Sequence, residues 1–398
     1  MIADPFSTLG TLLRDFLVGL GLPAAEARAV IAFLGAGALA TAVLLLTFAL
    51  IWVERKVLAR IQDRLGPNRV GPFGVLQTIA DALKLLTKEV IVPDGADKLP
   101  YYLAPPLAVM AVVGLWAVIP LAPNLIGADI NVGVIYLVSI GAIGTLAIML
   151  AGWSSNNKYA LLGAFRSVAM LISYEVPMVL ALLVPTMLAG SMGTVAIVES
   201  QRAMWFVVLA PLAAFLFFTS SMAEAGKAPF DLLEAESEIV AGYNIEYSSM
   251  AFGMFFVGEF LHGFTLAALT VTLFFGGWLG PGVDQYSWLG LVYFGLKTAI
   301  VYFAVIWIRG TLPRLRIDQV NAFNWKFLVP LALAVVVVTA LADKVAAAQG
   351  WDRTWTLLIA NGLMFVGILA GLQVYARSLR RRTEVPPAAA VVAPSGTR

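Results

Sequence analysis

The feature that most constrains this sequence is a series of apolar blocks, each about 20 residues long, along most of the chain. One helix of about 20 apolar residues crosses the ~30 Å hydrocarbon core of a membrane. Only 13% of the 398 residues are charged, about half the share usual in soluble proteins. The sequence therefore predicts an all-α membrane protein, a bundle of about nine transmembrane helices. The predicted spans lie near residues 31–53, 103–121, 131–152, 160–188, 205–225, 249–279, 288–309, 327–343 and 354–376.

The distribution of Lys and Arg predicts the orientation, because cytoplasmic loops retain these residues. The loops between spans on one side carry only Arg202, Lys344 and Arg353. The N-terminus is therefore predicted outside, and the C-terminus and long polar loops in the cytoplasm. The residues assigned to the cytoplasmic side are Arg55, Lys56, Arg60, Arg64, Arg69, Lys84, Lys88, Lys98, Lys158, Arg166, Lys227, Arg309, Arg314, Arg316, Lys326, Arg377, Arg380, Arg381 and Arg382.

Two shorter segments have amphipathic patterns. Residues 73–89 place apolar side chains on one face and Gln77, Asp81, Lys84 and Lys88 on the other, which predicts a cytoplasmic-side helix along the membrane surface. Its role as a simple membrane anchor and a functional role both remain open. The segment 5–20 is amphipathic but too short to span.

Composition excludes several kinds of redox chemistry within the chain. Without cysteine the chain has no ligands for an Fe–S cluster and no thiolate nucleophile. With His262 as its one histidine, it also lacks the pair that bis-histidine haem needs. If the protein takes part in electron transfer, another subunit must carry the electrons.

Acidic residues at membrane depth are the strongest functional signal, because they are costly there and usually mark an ion path or a paired site. Glu175 lies midway along the fourth span, beside Pro177. A second group of acidic residues lies in residues 223–249, which contain six acids and one basic residue, Lys227. Carboxylates that repel one another and are partly buried favour proton sharing. We interpret the acids as a proton path, with helix pairing for Glu175 and a solvated loop for 223–249 as the alternatives.

The spacing within 223–249 predicts a helical arrangement. Asp231, Glu234 and Glu238, at i, i+3 and i+7, would share one face of a helix, and Glu236 would lie on the other. The remaining acids of this segment are Glu224 and Glu246.

Further charged residues lie in or beside other spans. Glu54 ends the first span and fits either an interfacial anchor or the mouth of the acidic path. Glu259 and His262 lie about a turn apart in the sixth span, and we interpret His262 as a structural hydrogen-bonding group. Lys297 has no obvious local partner, and we interpret it as a partner of one of the intramembrane glutamates. Residues 307–326 form a basic rim, explained either by orientation alone or by a docking or headgroup site.

Four motifs in order carry a family resemblance. They are ERKVLARIQDRLGPNRVGP (54–72), GAFRSVAMLISYEVP (163–177), APFDLLEAESEIVAGYNIEYS (228–248) and RGTLPRLRIDQ (309–319). Over roughly residues 30–345 the chain resembles the H-subunit family of bacterial NADH:quinone oxidoreductase (respiratory complex I), similar to mitochondrial subunit 1.

The resemblance implies a division of labour between subunits. The family subunit forms the membrane part of the quinone chamber in the bacterial inner membrane and carries no redox centre itself. FMN and Fe–S clusters are expected in partner subunits, and the quinone, ubiquinone or menaquinone, is the substrate. The expected partners are the peripheral-arm Fe–S and quinone-site subunits, small membrane subunits, antiporter-like subunits that pump protons, and the lipid bilayer, with no nucleic acid.

The resemblance also assigns residues to two roles, and the surface helix to the flank of the quinone entrance. The implied proton and coupling path consists of Glu54, Glu175, Glu224, Asp231, Glu234, Glu236, Glu238, Glu246 and Glu259. The implied quinone-binding residues are Arg55, Asp81, Lys227, Phe230, Arg309, Arg314 and Arg316. One departure concerns Lys227, where the family commonly has Arg, so that the charge is kept and the bidentate fork is lost.

The sequence divides into four expected regions. Residues 1–30 form an outer amphipathic segment, 31–345 the family core with loops 54–102, 223–248 and 309–326, 346–376 an extra C-terminal span, and 377–398 a basic, then Pro/Ala-rich tail. Two other functions remain as alternatives: the membrane subunit of an energy-converting hydrogenase, and a stand-alone proton-coupled transporter, although no internal repeat is evident.

Overall fold

A computed structural model describes residues 5–234, 238 and 240–383, and within these residues the regular elements are helices. The α-helices are α1 Pro5–Gly19, α2 Ala24–Ile61, α3 Gln77–Thr87, α4 Lys98–Leu115, α5 Gly133–Ser154, α6 Lys158–Ala189, α7 Thr194–Ser200, α8 Phe206–Leu209, α9 Pro211–Glu224, α10 Ser249–Phe274, α11 Trp288–Thr311, α12 Ile317–Phe323, α13 Val329–Gln349 and α14 Arg353–Thr383. A π-helical turn, Asn324–Leu328, joins α12 to α13. The prediction of an all-α membrane protein is confirmed.

Eight helices in the described part are long and apolar enough to cross a membrane, rather than nine. The difference lies at the predicted span 205–225, which is broken into the short helices α8 and α9. Ala210 leaves the helical region, with φ −139° and ψ 67°, and Pro211 then begins α9. Because proline has no N–H to continue a preceding helix, it favours a new helix start at this point. Hydropathy alone does not detect this break.

The predicted surface helix is present but shorter, spanning 77–87 instead of 73–89. Phe73 and Gly74 both have positive φ, 53° and 76°. A side chain at Gly74 would place its Cβ 2.3 Å from the Pro67 carbonyl oxygen, so that only glycine permits this close turn. Leu83 and Leu86 are exposed on the apolar face, as expected for a helix that rests on lipid.

The long helix α6 occupies the centre of the bundle and packs against α5, α9 and α13. Pro177 and Pro185 lie inside α6 and both are buried, and the helix continues through them. The Tyr174 hydroxyl, fully buried, donates to the Val320 carbonyl of α12 at 3.0 Å. This contact fixes the basic loop before α12 against the middle of the bundle.

The last helix, α14, packs on α13 and forms polar contacts with the bundle. The Thr339 hydroxyl lies 3.2 Å from the Asn361 Oδ1, and both side chains are 1% exposed. Arg353 binds Asp343 at 2.5 Å and donates to the Leu188 carbonyl at 2.9 Å. The predicted C-terminal helix is therefore attached to the bundle at both its start and its middle.

The interpretation of Lys297 as a partner of an intramembrane glutamate is wrong. Its ammonium group instead donates to the carbonyls of Phe275, Gly277 and Leu279, at 2.8, 3.1 and 2.8 Å. The same group lies 4.5 Å above the Trp205 ring. The carbonyls at the end of α10 have no further helical turn to bind them, and a cation satisfies them well.

A buried glutamine connects α7, α8 and the end of α10. The Gln201 side chain is 0% exposed. Its Oε1 accepts hydrogen bonds from the backbone N–H groups of Phe206 and Gly276, at 3.3 and 3.0 Å. Its Nε2 donates to the Thr272 carbonyl at 3.1 Å. One side chain thus satisfies backbone groups at the ends of two helices.

Gln201→Leu is expected to destabilise the fold by about 2–6 kcal/mol, because two buried N–H groups lose their acceptor at roughly 1–3 kcal/mol each. Thermal unfolding of the protein in mild detergent measures this effect. The control is Ser200→Ala, which removes one hydroxyl bonded within its own helix turn. Equal unfolding temperatures for the two variants would contradict this role for Gln201.

Candidate functional site

Lys227 is the cation at the centre of the candidate site. Its side chain is 1% exposed. The ammonium group lies 2.9 Å from a Glu259 oxygen, 3.9 Å from Glu54 and 4.5 Å above the Phe260 ring. A buried ion pair of this kind needs further charges and hydrogen bonds around it to offset the loss of water.

Glu54 receives those further contacts from α11. The Arg309 guanidinium forms an ion pair with Glu54, and the Tyr302 hydroxyl donates to its other oxygen at 2.9 Å. Glu54 is 2% exposed, so that the interpretation as an interfacial anchor does not describe its surroundings. Lys227 and Arg309 together balance the charges of Glu54 and Glu259.

The described part of the loop after α9 is not helical, and the predicted common helical face is wrong. Gly226 turns the chain with φ +61°. The Arg166 guanidinium of α6 donates a hydrogen bond to the Leu232 carbonyl at 2.9 Å, so that a side chain of another element binds this carbonyl. Glu234 instead forms an isolated bridge with Gly242. Glu236 lies outside the described residues.

The three acids predicted to share a face have three separate partners. Asp231 binds Arg314 at 3.2 Å, Glu238 forms an ion pair with Arg166, and the Asn244 amide donates to Glu234. Burial raises the pKa of Asp231 above its usual range, although the charge of Arg314 acts in the opposite direction. Tertiary contacts, rather than helix periodicity, set the positions of these carboxyl groups.

The side chain of Glu246, the last acid of the loop, contacts the residue that precedes α6. The Asn157 amide donates to its carboxylate at 2.5 Å. The Asn157 Oδ1 in turn accepts from the Tyr159 N–H and so caps α6. The Tyr101 hydroxyl donates to the backbone carbonyl of Glu246 at 2.8 Å. Glu246 therefore ties the loop to α4 and α6.

The charged centre of the site consists of Glu54, Lys227, Glu259 and Arg309. Two small cavities lie between this charged centre and Glu175. The first, of about 80 Å³, is lined by Glu259, Glu224 and Thr145, among others. The second, of about 30 Å³, is lined by Glu224 and Glu175. Both volumes exceed the space one water molecule needs. Glu224, 8% exposed, borders both cavities, whereas Glu259 borders the first and Glu175 the second.

His262 also borders both cavities, a position that the sequence analysis missed. Its Nε2 lies 3.6 Å from a Glu224 oxygen. The sequence analysis interpreted His262 as a structural hydrogen-bonding group and did not predict that it lies beside an acid. The available signal was its position one turn after Glu259 on the same helix.

Arg55 and Asp81 form an ion pair between α2 and the surface helix α3. The distance is 2.5 Å, and the Arg55 side chain is 45% exposed. Burial would raise the pKa of Asp81, but hydrogen bonds from Arg55 and Gln77, with the charges of Arg55 and Lys84, hold that pKa below its usual range. The structure thus brings together two residues predicted to bind quinone.

The other predicted quinone-binding residues have different surroundings. Phe230 is 4% exposed and packs between Tyr174 and Phe323, at ring separations of 5.3 and 6.5 Å. Arg316 is 76% exposed and binds its neighbour Asp318 at 2.8 Å. Arg309, Arg314 and Lys227 each bind a carboxylate described above. These side chains therefore differ widely in burial, from Lys227 at 1% exposed to Arg316 at 76%.

An apolar groove of about 600 Å³ lies between α2 and α11 and ends near the charged centre. Its walls include Leu46 and Val53 of α2 and Phe303 of α11. Tyr302, whose hydroxyl binds Glu54, forms part of the same wall. The apolar groove therefore reaches the side chain that hydrogen-bonds to Glu54.

Comparisons with known proteins give a consistent family. The sequence model of the NADH dehydrogenase family matches residues 34–340. The H subunit of the NADH-quinone oxidoreductase of Dehalococcoides mccartyi (strain CBDB1) is 48% identical over 296 residues, which cover 74% of this chain and 82% of that protein.

Two further relatives agree. The first of the numbered H subunits of the NADH-quinone oxidoreductase of Geobacter metallireducens is 49% identical over 306 residues, covering 75% of this chain and 92% of that protein. The first of the numbered H subunits of Rhodopseudomonas palustris (strain HaA2) is 47% identical over 301 residues, which cover 75% of this chain and 92% of that protein. The matched segment contains the charged centre, both cavities and the groove. The chain therefore belongs to the NADH dehydrogenase family, together with the H subunits of NADH-quinone oxidoreductases.

Proposed function

We propose that this chain is the membrane subunit of a proton-pumping NADH:quinone oxidoreductase, shaping the quinone chamber and carrying protons along its buried acids. The observation that carries the proposal is the continuous arrangement from the apolar groove, through Glu54, Lys227 and Glu259, to Glu224 and Glu175. The relatives described above are all NADH-quinone oxidoreductase subunits, which favours this function over a hydrogenase subunit or a stand-alone transporter.

The quinone part of the proposal assigns binding and orientation to the chain. The groove accepts the apolar tail, and the exposed Arg55–Asp81 pair supplies charge at the surface helix. Lys227, Phe230, Arg309, Arg314 and Arg316 are the further chamber residues in this proposal. Electrons reach the quinone from a partner, because a chain without cysteine supplies no Fe–S ligands.

The proton part assigns the transfer steps to carboxyl groups. Carboxylates accept a proton when ionised and donate it when protonated, and water in the two cavities bridges neighbouring acids. Asp231, Glu234, Glu236, Glu238 and Glu246 extend the path along the loop after α9. Changes of charge at the quinone end then alter the proton affinity of the next acid by Coulomb interaction in a low dielectric.

The proposal also includes the surroundings of the subunit. FMN and Fe–S clusters reside in peripheral-arm partners, and small membrane subunits and antiporter-like subunits continue the membrane arm. The side rich in Lys and Arg faces the cytoplasm. The N-terminus then lies outside and the C-terminus inside a bacterial inner membrane.

Glu224→Gln is expected to reduce coupled quinone reduction and proton translocation by roughly tenfold or more, because the amide carries no proton between the cavities. NADH-driven proton uptake in membrane vesicles, with quinone reduction followed in parallel, measures both activities in the assembled enzyme. The control is Glu26→Gln at the exposed start of α2, which should leave both unchanged. Normal pumping by an assembled Glu224→Gln enzyme would contradict the proposed path.

Asp81→Asn is expected to raise the KM for quinone by about tenfold, because loss of a charge-assisted hydrogen bond costs about 1.5 kcal/mol, and to leave the KM for NADH unchanged. Since the pKa of Asp81 lies below its usual range, Asp81 stays ionised at pH 5–8. Its contribution is thus present throughout that interval and is lost only as the pH falls through the lowered pKa. Quinone titrations at pH 5, 6.5 and 8 measure the effect.

The matched control for this variant is Asp63→Asn, a carboxyl group in the exposed turn after α2. A tenfold rise in KM for both Asn variants would point to a general surface-charge effect. An unchanged KM in Asp81→Asn would remove Asp81 from the quinone chamber.

A further inference from the structure

His262 occupies the junction between the two cavities. It lines both of them, together with Glu224 and Gly141. Its side chain is 17% exposed, and Nε2 lies 3.6 Å from Glu224 Oε1. A Cβ atom added at Gly141 would lie 3.9 Å from the same oxygen, in ordinary van der Waals contact with it. His262 and Glu224 are thus the titratable side chains that border both cavities.

The groups around His262 come from five parts of the fold. Glu224 approaches from α9 and Glu175 from α6 across the second cavity. Thr145 of α5 and Tyr243 of the loop after α9 face it across the first cavity. Glu259 lies one turn earlier on α10. Lys227 reaches this region as the partner of Glu259, so that the surroundings are mainly acidic.

The contacts of the imidazole do not match a fixed structural role. At 3.6 Å, the separation from Glu224 exceeds the length of a direct N–H···O hydrogen bond. Within the described residues, neither His262 Nδ1 nor Glu224 Oε2 has a protein partner, and both atoms are buried. An imidazole has two nitrogens, one of which takes up a proton while the other releases one. Both nitrogens are thus available for exchange at the junction.

We propose that His262 carries protons within this path, exchanging them with Glu224 between the two cavities; this inference rests on the proposed function. In the transfer step the imidazolium Nε2–H bond breaks and a Glu224 O–H bond forms, which leaves a neutral imidazole and a neutral carboxylic acid. Glu224 then releases its proton into the second cavity, and Nε2, the nitrogen left without a proton, receives the next proton from the first cavity. No electrons move in this step.

His262→Asn tests the role in the assembled enzyme, because asparagine keeps a polar side chain but does not titrate. We expect coupled proton translocation to fall by about tenfold, and its pH dependence to differ from that of the wild type. The KM for quinone should stay unchanged. Infrared difference spectra of quinone reduction should show an imidazole band that is absent in the variant.

The matched control is Thr270→Val, a buried position on the same helix whose hydroxyl donates to the Leu266 carbonyl of its own turn. This variant should keep the wild-type rate and pH profile. If both variants lose activity equally with unaltered pH profiles, the effect is one of packing on α10 and the proposal is overturned. A wild-type rate, profile and spectrum in His262→Asn would overturn it as well.

Glu224→Gln separates this inference from the proposed function. If Glu224→Gln loses coupling while His262→Asn matches the wild type, the acidic path stands and the histidine step is wrong. If Glu224→Gln itself pumps normally, the proposed path fails, and the histidine step fails with it.

Discussion

The ion pairs of Lys227 are the interaction on which the arrangement of buried carboxylates depends. Removing a carboxylate from water at membrane depth costs several kcal/mol unless a cation and hydrogen bonds replace the water. Lys227 contacts Glu259 and lies 3.9 Å from Glu54, and Arg309 completes the cluster. Helices α2, α10 and α11 therefore meet at one balanced set of charges.

The loop after α9 brings this cation to the cluster. A helix continuing past Glu224 would direct its side chains by periodicity, whereas the turn at Gly226 allows Lys227 to enter the bundle. Arg166 then binds both the Leu232 carbonyl and Glu238, so that contacts with α6 position these two residues. Asp231, Glu234 and Glu238 each have a separate partner as a result.

Sequence reasoning predicted the features that depend on local composition. The long apolar blocks gave the membrane helices, and the pattern around Asp81 gave the surface helix, although Pro211 broke one predicted span. Prediction from the sequence failed where distant segments meet. The carbonyls that surround Lys297 and the acid beside His262 come from remote parts of the chain. The helical face predicted for Asp231, Glu234 and Glu238 failed for the same reason, because Arg314, Asn244 and Arg166 determine their positions.

The most direct test of the account replaces Lys227 in the assembled enzyme and measures proton translocation together with quinone reduction in reconstituted vesicles. Lys227→Met leaves Glu54 and Glu259 without their shared cation, and the account predicts a loss of both activities by at least about tenfold, since breaking a buried pair costs about 3–5 kcal/mol. Lys227→Arg, which keeps the charge, should retain both. Full, coupled activity in an assembled Lys227→Met enzyme would contradict the account.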